Sequence, residues 1–516
     1  MKQSFFLVIP KQHSNPQRLK EYEAKILAQW ISELPIANPI LAVRLIFDYL
    51  AEFNSIKMPA QLRLDALEML IPSLFNIEEF LRTRLLKSGF PKDESDKKTL
   101  GLLVALQRQF TLSYWIIVKE LTQHEISWFQ SKNAVLAIVR CIKGLSAIVA
   151  SHLMMGMPVP SWIWMDLHAL YKLSIKIKKH TTQIALNETP NKNVSPEEAY
   201  LQILLLSLAD PTGLMQNEIK SVYQFVDKLT QLVSLKTAPV TEQPIQCLVL
   251  VDEDIAPFFQ KNEQQQESDS AKLYVDLTRL CHALDSYQAA TANSSSSRFN
   301  SPGTGISGHV EDFPKELLHY LSQRWAGNSL QSAALFNDRL DRYIAIGLSA
   351  TYKLQKAIAV GSDEVLEYLA YSVSNRMLSC ELKQSGLLSI GSLVSFRRID
   401  MPEHKRFLGI IDMLVVEKEE NKLSFGVRLL THQSIAVGYL PISASKTESP
   451  KPALFYKTLE EEGASYIISD NFVLKEGDLV RLFINQDDFP IVLKSKINIG
   501  LGYWQYECLR VTEKRK

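Results

Sequence analysis

Hydrophobic positions follow one period up to about residue 330 and another after it. In the first stretch apolar residues recur three and four apart, the spacing of amphipathic helices. Leu41, Leu45, Ile46, Tyr49, Leu50 and Phe53 show it after Asn38-Pro39, an N-cap residue followed by a proline in the first turn. Pro59 and Pro72 predict two further helix starts of the same kind. Longer helices are predicted over residues 99–121, 126–155 and 160–180, the last with Trp162, Trp164, Leu167, Tyr171 and Ile175 on its apolar side. Ser195-Pro196-Glu197-Glu198 starts another: a cap, a proline, then acids in the first turn. Residues 201–208 and 219–233 predict a helical pair around the Asp210-Pro211-Thr212-Gly213 turn. Successive pairs without a fixed repeat period imply a solenoid-like helical bundle. Residues 247–251 read as an isolated strand, 288–308 as a flexible Ser/Gly/Asn/Ala-rich linker, and 312–325 as a last helix.

From Tyr343 onward the period is two. Residues 393–398, 407–416, 423–430, 435–442, 453–456, 466–468, 479–484, 491–497 and 503–511 alternate and are separated by polar turns. Many short strands of this kind predict a barrel or sandwich. The fold class is α+β multidomain: an all-α helical scaffold over 1–240, a small mixed segment with its linker over 241–330, and a β-barrel domain over 331–516.

Composition narrows the function. The 516 residues suit roughly three domains. With 57 basic and 56 acidic residues the net charge is +1, which gives no global field for nucleic acid or an anionic membrane. Cys141, Cys247, Cys281, Cys380 and Cys508 are scattered, as expected in a reducing compartment and unlike a disulfide frame or zinc site. The apolar stretch at the N-terminus is too short for a secretory signal. The most apolar helix, 134–157, carries Arg140, Lys143 and His152, which favours a buried helix over a membrane span. These features predict a cytoplasmic protein that does not insert in a membrane. No HExxH, P-loop, GxSxG or Gly-rich dinucleotide motif is present, so the sequence argues against an enzyme and against a bound cofactor or metal. Asp252-Glu253-Asp254 has the look of a phospho-acceptor or metal site, but no βα repeat follows, and it reads as an acidic loop or helix start.

The candidate chemistry lies at the seam between the two periods. Arg339 and Arg342 immediately precede the strand-like run Tyr343-Ile344-Ala345-Ile346, and Ser372, Ser374, Arg376 and Met377 follow on a predicted barrel strand. Arg397 and Arg398 occupy consecutive strand positions, so one points outward. With Arg376 and Arg406 they form a possible basic face; a sheet edge guarded by charge is the other reading.

Arginines ahead of a small barrel, followed by a serine motif, resemble the PilZ-domain receptors for cyclic di-GMP. The family's RxxxR would fall on Arg339 and Arg342, here spaced RxxR, and its D/N-x-S-x-x-G on Ser372, Ser374 and Met377. Ser374 matches the family serine; Ser372 replaces the acid or amide and Met377 the glycine. Residues 34–39, 346–350 and 391–397 also resemble bacterial proteins that join a helical half to a divergent PilZ-like half. The resemblance implies a PilZ-like barrel over 331–516 and cyclic di-GMP as ligand. It implies Arg339, Arg342, Ser372, Ser374, Arg376, Arg397 and Arg398 as the binding residues, since guanidiniums suit both phosphate and guanine. It further implies a regulatory role in surface attachment, motility or type IV pili, a protein partner for the helical half, and no nucleic-acid polymer. The alternative is that Arg339 and Arg342 cap the preceding helix or pair with Asp338 and Asp341. The chain would then be a non-catalytic protein-interaction scaffold whose barrel binds no nucleotide.

Overall fold

The computed structural model describes residues 6–123, 128–187, 193–241, 243, 245–261, 271–293, 313–328, 335, 338, 340–358, 366–417, 421–442, 448–458, 464–485 and 487–511. The chain divides into two compact units. One comprises Met1–Lys87, Glu94–Pro211 and Gln216–Leu330; the other comprises Ser88–Asp93, Thr212–Met215 and Gln331–Lys516.

In the first unit the helix starts follow from the caps. The Asn38 side chain accepts from the Leu41 N–H at 3.3 Å, ahead of the helix Pro39–Ser55. Ser195 and Glu198 form a reciprocal capping box on Pro196–Leu208. Pro59 precedes the helix Ala60–Leu85, but Pro72 lies inside that helix and does not open a new one. A proline removes one backbone hydrogen bond, and Ile71, Leu74, Ile77 and Leu81, buried on both sides of it, hold the helix through the lost bond. The helices Glu94–Leu121 and Gln130–Met154 are long and apolar enough to cross a membrane by length and composition, and both are mostly buried within the unit.

Ile245–Leu250 is not isolated, as the sequence suggested. It lies in a four-stranded antiparallel sheet ordered Ser234–Lys236, Lys272–Asp276, Ile245–Leu250, Phe258–Lys261. That sheet spans the expected domain limit at residue 240. The expected linker at 288 begins inside the helix Thr278–Asn293, and residues 294–308 lie outside the described residues. The acidic run is structural. Asp254 accepts from the backbone N–H groups of Trp162, Trp164 (3.1 Å) and Met165 (3.3 Å), capping the helix Ile163–Lys176, and Asp252 pairs with Lys172.

The second unit holds two closed six-stranded barrels where the sequence suggested one. The first runs Leu393–Arg398, Phe407–Val416, Lys422–Thr431, Met377–Glu381, Tyr368–Ser372, Arg342–Ile346, and closes back onto Leu393–Arg398. The second runs Ile435–Pro441, Lys451–Lys457, Ser465–Ser469, Tyr503–Arg510, Asp487–Gly500, Leu479–Ile484. A period of two is the same in one large sheet and in two small barrels; closure depends on which strand each strand turns back to. Ile344, Leu378, Val394, Phe396, Ile411 and Phe425 fill the first barrel, joined by Phe90, whose N–H donates to the Leu388 carbonyl at 2.7 Å. Leu348 on the helix Gly347–Gln355 packs with Leu393, Leu408, Ile410, Ala436, Leu454 and Ile468 between the two barrels. Backbone meets backbone there. A Cβ on Gly500 would stand 2.0 Å from the Gly391 carbonyl oxygen, and the Leu501 N–H donates to that same oxygen at 2.9 Å. Neither position leaves room for a side chain.

Candidate functional site

The direction of each strand decides which residues share a rim of the first barrel. Arg342–Ile346, Met377–Glu381 and Phe407–Val416 start at one end, and Tyr368–Ser372, Leu393–Arg398 and Lys422–Thr431 finish there. Arg342, Ser372, Ser374, Arg376, Arg397 and Arg398 therefore gather on a single rim. Arg339 lies outside the described residues. The Leu335 N–H donates to the Asn375 carbonyl at 2.9 Å.

The serine motif is a hairpin tip, not a strand. Ser372 ends one strand and Met377 begins the next. The Ser374 hydroxyl accepts from the N–H groups of Arg376 and Met377, both at 3.1 Å, while the Val373 N–H donates to the Met377 carbonyl at 3.0 Å. A short hydroxyl side chain that caps its own turn is the reason for serine here. Met377 is half-buried and faces Gly426 across the strands, so it does not plug the core.

Arg342 stands directly opposite Arg398 on one side and Ala370 on the other. Like charges placed across neighbouring strands repel, and acids offset this pair. Arg342, 4% exposed, pairs with Asp338 at 2.6 Å and donates to the Leu340 carbonyl. Arg398, exposed, forks onto Asp400 at 3.0 and 2.6 Å. Burial pushes the Asp338 carboxyl up, but the Leu340 N–H, Arg342 and Arg398 together bring it below its ordinary value.

Arg397 and Arg406 belong to a separate cluster. Arg397 forks onto Glu367 at 2.9 and 2.8 Å, donates to the Met401 carbonyl at 2.6 Å, and lies 4.6 Å over the Tyr343 ring. Arg406 is buried; it donates to the Ser395 hydroxyl at 2.8 Å and pairs with Glu367. The hydrogen bond that Arg397 donates to Glu367 raises the Arg397 pKa, whereas burial lowers that of Arg406. Charge guarding a sheet edge does not account for these arginines: Leu393–Arg398 is paired on both sides in a closed barrel. Arg406 is also no part of an exposed basic face, because its guanidinium is spent inside.

Three residues went unread as site residues in the sequence. Tyr371 is 51% exposed on the outer wall, next to Ser372. Asp341, half-buried, accepts from the Ser372 N–H at 3.4 Å. Glu367 precedes a strand and shows no pattern of its own. Alternation through Leu369, Tyr371 and Val373 was the available signal for an outward-facing tyrosine.

Comparison with known proteins adds an independent line. The family described as "Cyclic-di-GMP receptor FimW, N-terminal domain" matches residues 25–240, most of which belong to the first unit. The cyclic-di-GMP receptor FimW of Pseudomonas aeruginosa is 28% identical over 217 residues, 42% of this chain. The chain covers 35% of that receptor's length. A solved structure titled "MrkH, A novel c-di-GMP dependence transcription regulatory factor" is 8% identical with a TM-score of 0.15, covering 34% of this chain and 78% of that one; a likeness at that level carries no argument. The chain is thus similar, over its helical part, to the N-terminal domain of a cyclic-di-GMP receptor.

Proposed function

We propose that this protein is a non-catalytic cyclic-di-GMP effector that takes its ligand at the rim of the first barrel. The observation that carries this reading is the convergence of Arg342, Arg398, Arg376, Ser372 and Ser374 on that rim. Arg398, exposed at the rim opposite the buried Arg342, presents a fork to a phosphate. The present partner of Arg398 is a weak competitor: the Arg398–Asp400 pair is exposed, and such pairs contribute about 0–1 kcal/mol. The similarity of residues 25–240 to a cyclic-di-GMP receptor supports the same ligand from another part of the chain. In this reading the barrel is PilZ-like and the protein is cytoplasmic. The helical half engages a protein partner, no nucleic-acid polymer is bound, and the output is surface attachment, motility or type IV pili.

The test is titration calorimetry on the full chain and on Arg342→Ala and Arg398→Ala. Each loss should weaken binding about 10- to 100-fold, the range for a charge-assisted hydrogen bond. Unchanged affinity in both variants would remove the rim as the site. A second reading, a scaffold whose barrel binds no nucleotide, is favoured by one observation: Arg342 and Arg398 already hold acids of their own. It expects no heat with any variant.

A further inference from the structure

The second barrel carries an apolar stripe on its outer wall. Leu479 faces Val492 on the next strand, and Val492 faces Leu509 on the one after. All three alternate with Val480, Ile491, Leu493 and Cys508, which fill the barrel, so they point outward. Ile442, just past the end of Ile435–Pro441, donates its N–H to the Leu479 carbonyl at 3.1 Å and lengthens the stripe on the other side. Leu479, Leu509 and Ile442 are 46%, 44% and 52% exposed, and Val492 between the two leucines is half-buried. Apolar residues scattered singly over a surface need no partner, but a row of them on neighbouring strands is a contiguous patch. A second row lies two residues along: Arg481 faces Pro490, and the Val511 N–H donates to the Pro490 carbonyl at 3.1 Å.

We propose that this wall is the interface between two copies of this chain. The barrel is closed and offers no free sheet edge, so the wall associates face to face, as packed sheets do. The charges bordering the stripe select a second copy over another partner. Arg481 pairs with Asp488 at 3.2 Å on one border, and Lys494 and Glu507 stand on the other. A surface with both signs on each border complements itself and favours neither an acidic nor a basic partner. A net charge of +1 sets no long-range repulsion between copies. A two-fold axis parallel to the strands, between Leu479–Ile484 and Asp487–Gly500, meets both requirements. It lays Leu479 on Val492 of the second copy and Ile442 on Leu509 of the second copy, and it brings Arg481 to Asp488 of the second copy. The Arg481–Asp488 pair within one copy is exposed, so it exchanges across the interface at little cost. Four strands span about 14 Å, three spacings of about 4.8 Å, which is narrower than a standard interface. The dimer is therefore one that forms and dissociates with concentration.

The experiment is sedimentation velocity of the full chain without ligand, on wild type, Leu479→Asp, Leu509→Asp, Phe472→Asp, Arg481→Glu and the double variant Arg481→Glu/Asp488→Arg. Every substituted side chain is exposed, and melting curves verify that each variant is folded. Wild type should pass from monomer to dimer between about 1 and 100 µM, the range of a transient contact. Leu479→Asp and Leu509→Asp should each raise the dissociation constant at least about tenfold, since a carboxylate would be buried against apolar groups. Phe472 is as apolar and more exposed, but it sits in the loop after Ser465–Ser469, off the stripe, and Phe472→Asp should dimerise as wild type. Arg481→Glu should weaken the dimer, and the double variant should recover it. A wild type that stays monomeric at about 100 µM overturns the proposal. So does a dimer undiminished in either leucine variant, or one that Phe472→Asp dissociates as strongly. A double variant as weak as Arg481→Glu overturns the two-fold axis.

Discussion

Glu367→Gln is the sharpest structural perturbation of the first barrel. Glu367 serves two guanidiniums: Arg397, through a fork at 2.9 and 2.8 Å, and Arg406, whose side chain is fully buried. Glutamine keeps the shape but removes the charge, which leaves Arg406 buried without its ion partner. Breaking a buried pair by removing one partner costs about 3–5 kcal/mol, because the remaining charge stays desolvated. For a unit of this size each kcal/mol moves the melting temperature by about 2–4 °C, so the barrel transition should fall by roughly 6–20 °C. The assay is thermal unfolding of the full chain followed by near-ultraviolet circular dichroism. Glu367→Gln combined with Arg406→Met should recover much of the loss, since the stranded charge is gone. The pH dependence carries a sign. Burial alone would raise the Glu367 pKa, but hydrogen bonds from Arg397 and Arg406 reverse that and hold it below its ordinary 4.5. The folded state then binds fewer protons than the unfolded chain near that value. The stabilisation is complete above about pH 4.5 and fades as the pH falls through the lower folded value. Wild type should lose stability there more steeply than Glu367→Gln. A fall under 2 °C, or no recovery in the double variant, would refute the argument.

Asp400→Asn should free the Arg398 fork and tighten cyclic di-GMP a few-fold, by about 0–1 kcal/mol, with unchanged melting; weaker binding would show that Asp400 helps hold the ligand. Gly500→Ala should lower barrel stability by 1–3 kcal/mol or more in urea titration, because its Cβ would stand 2.0 Å from backbone that cannot swing away. Asp254→Ala should cost about 0.5–2 kcal/mol through the lost cap on Ile163–Lys176, read as earlier unfolding of the helical unit by far-ultraviolet circular dichroism.

Local rules were legible in the chain and long-range pairings were not. Asn38 and Ser195 announce their helices because a cap is a contact within four residues. Strands such as Phe407–Val416 announce themselves by alternation. Pro72 misled, since nothing local shows that the helix around it is held by burial on both sides. Ile245–Leu250 looked alone because its partners Phe258–Lys261 and Lys272–Asp276 are short and partly polar. Residues Ser88–Asp93 join the barrel unit through Phe90 and Leu388, a pairing with no trace in either segment. At the rim, the arginines drew notice by type. What each one holds was invisible: Glu367 takes Arg397 and Arg406, and Asp338 takes Arg342. Asp341 drew no notice until the fold showed its carboxylate accepting from the Ser372 N–H.

The most direct measurement of the central claim is a calorimetric titration of the intact wild-type chain with cyclic di-GMP. The account predicts one saturable site at micromolar affinity or better, about 8 kcal/mol or more of binding free energy, weakened by added salt. A flat titration of folded protein at ligand concentrations of about 100 µM, far above such a dissociation constant, would contradict it.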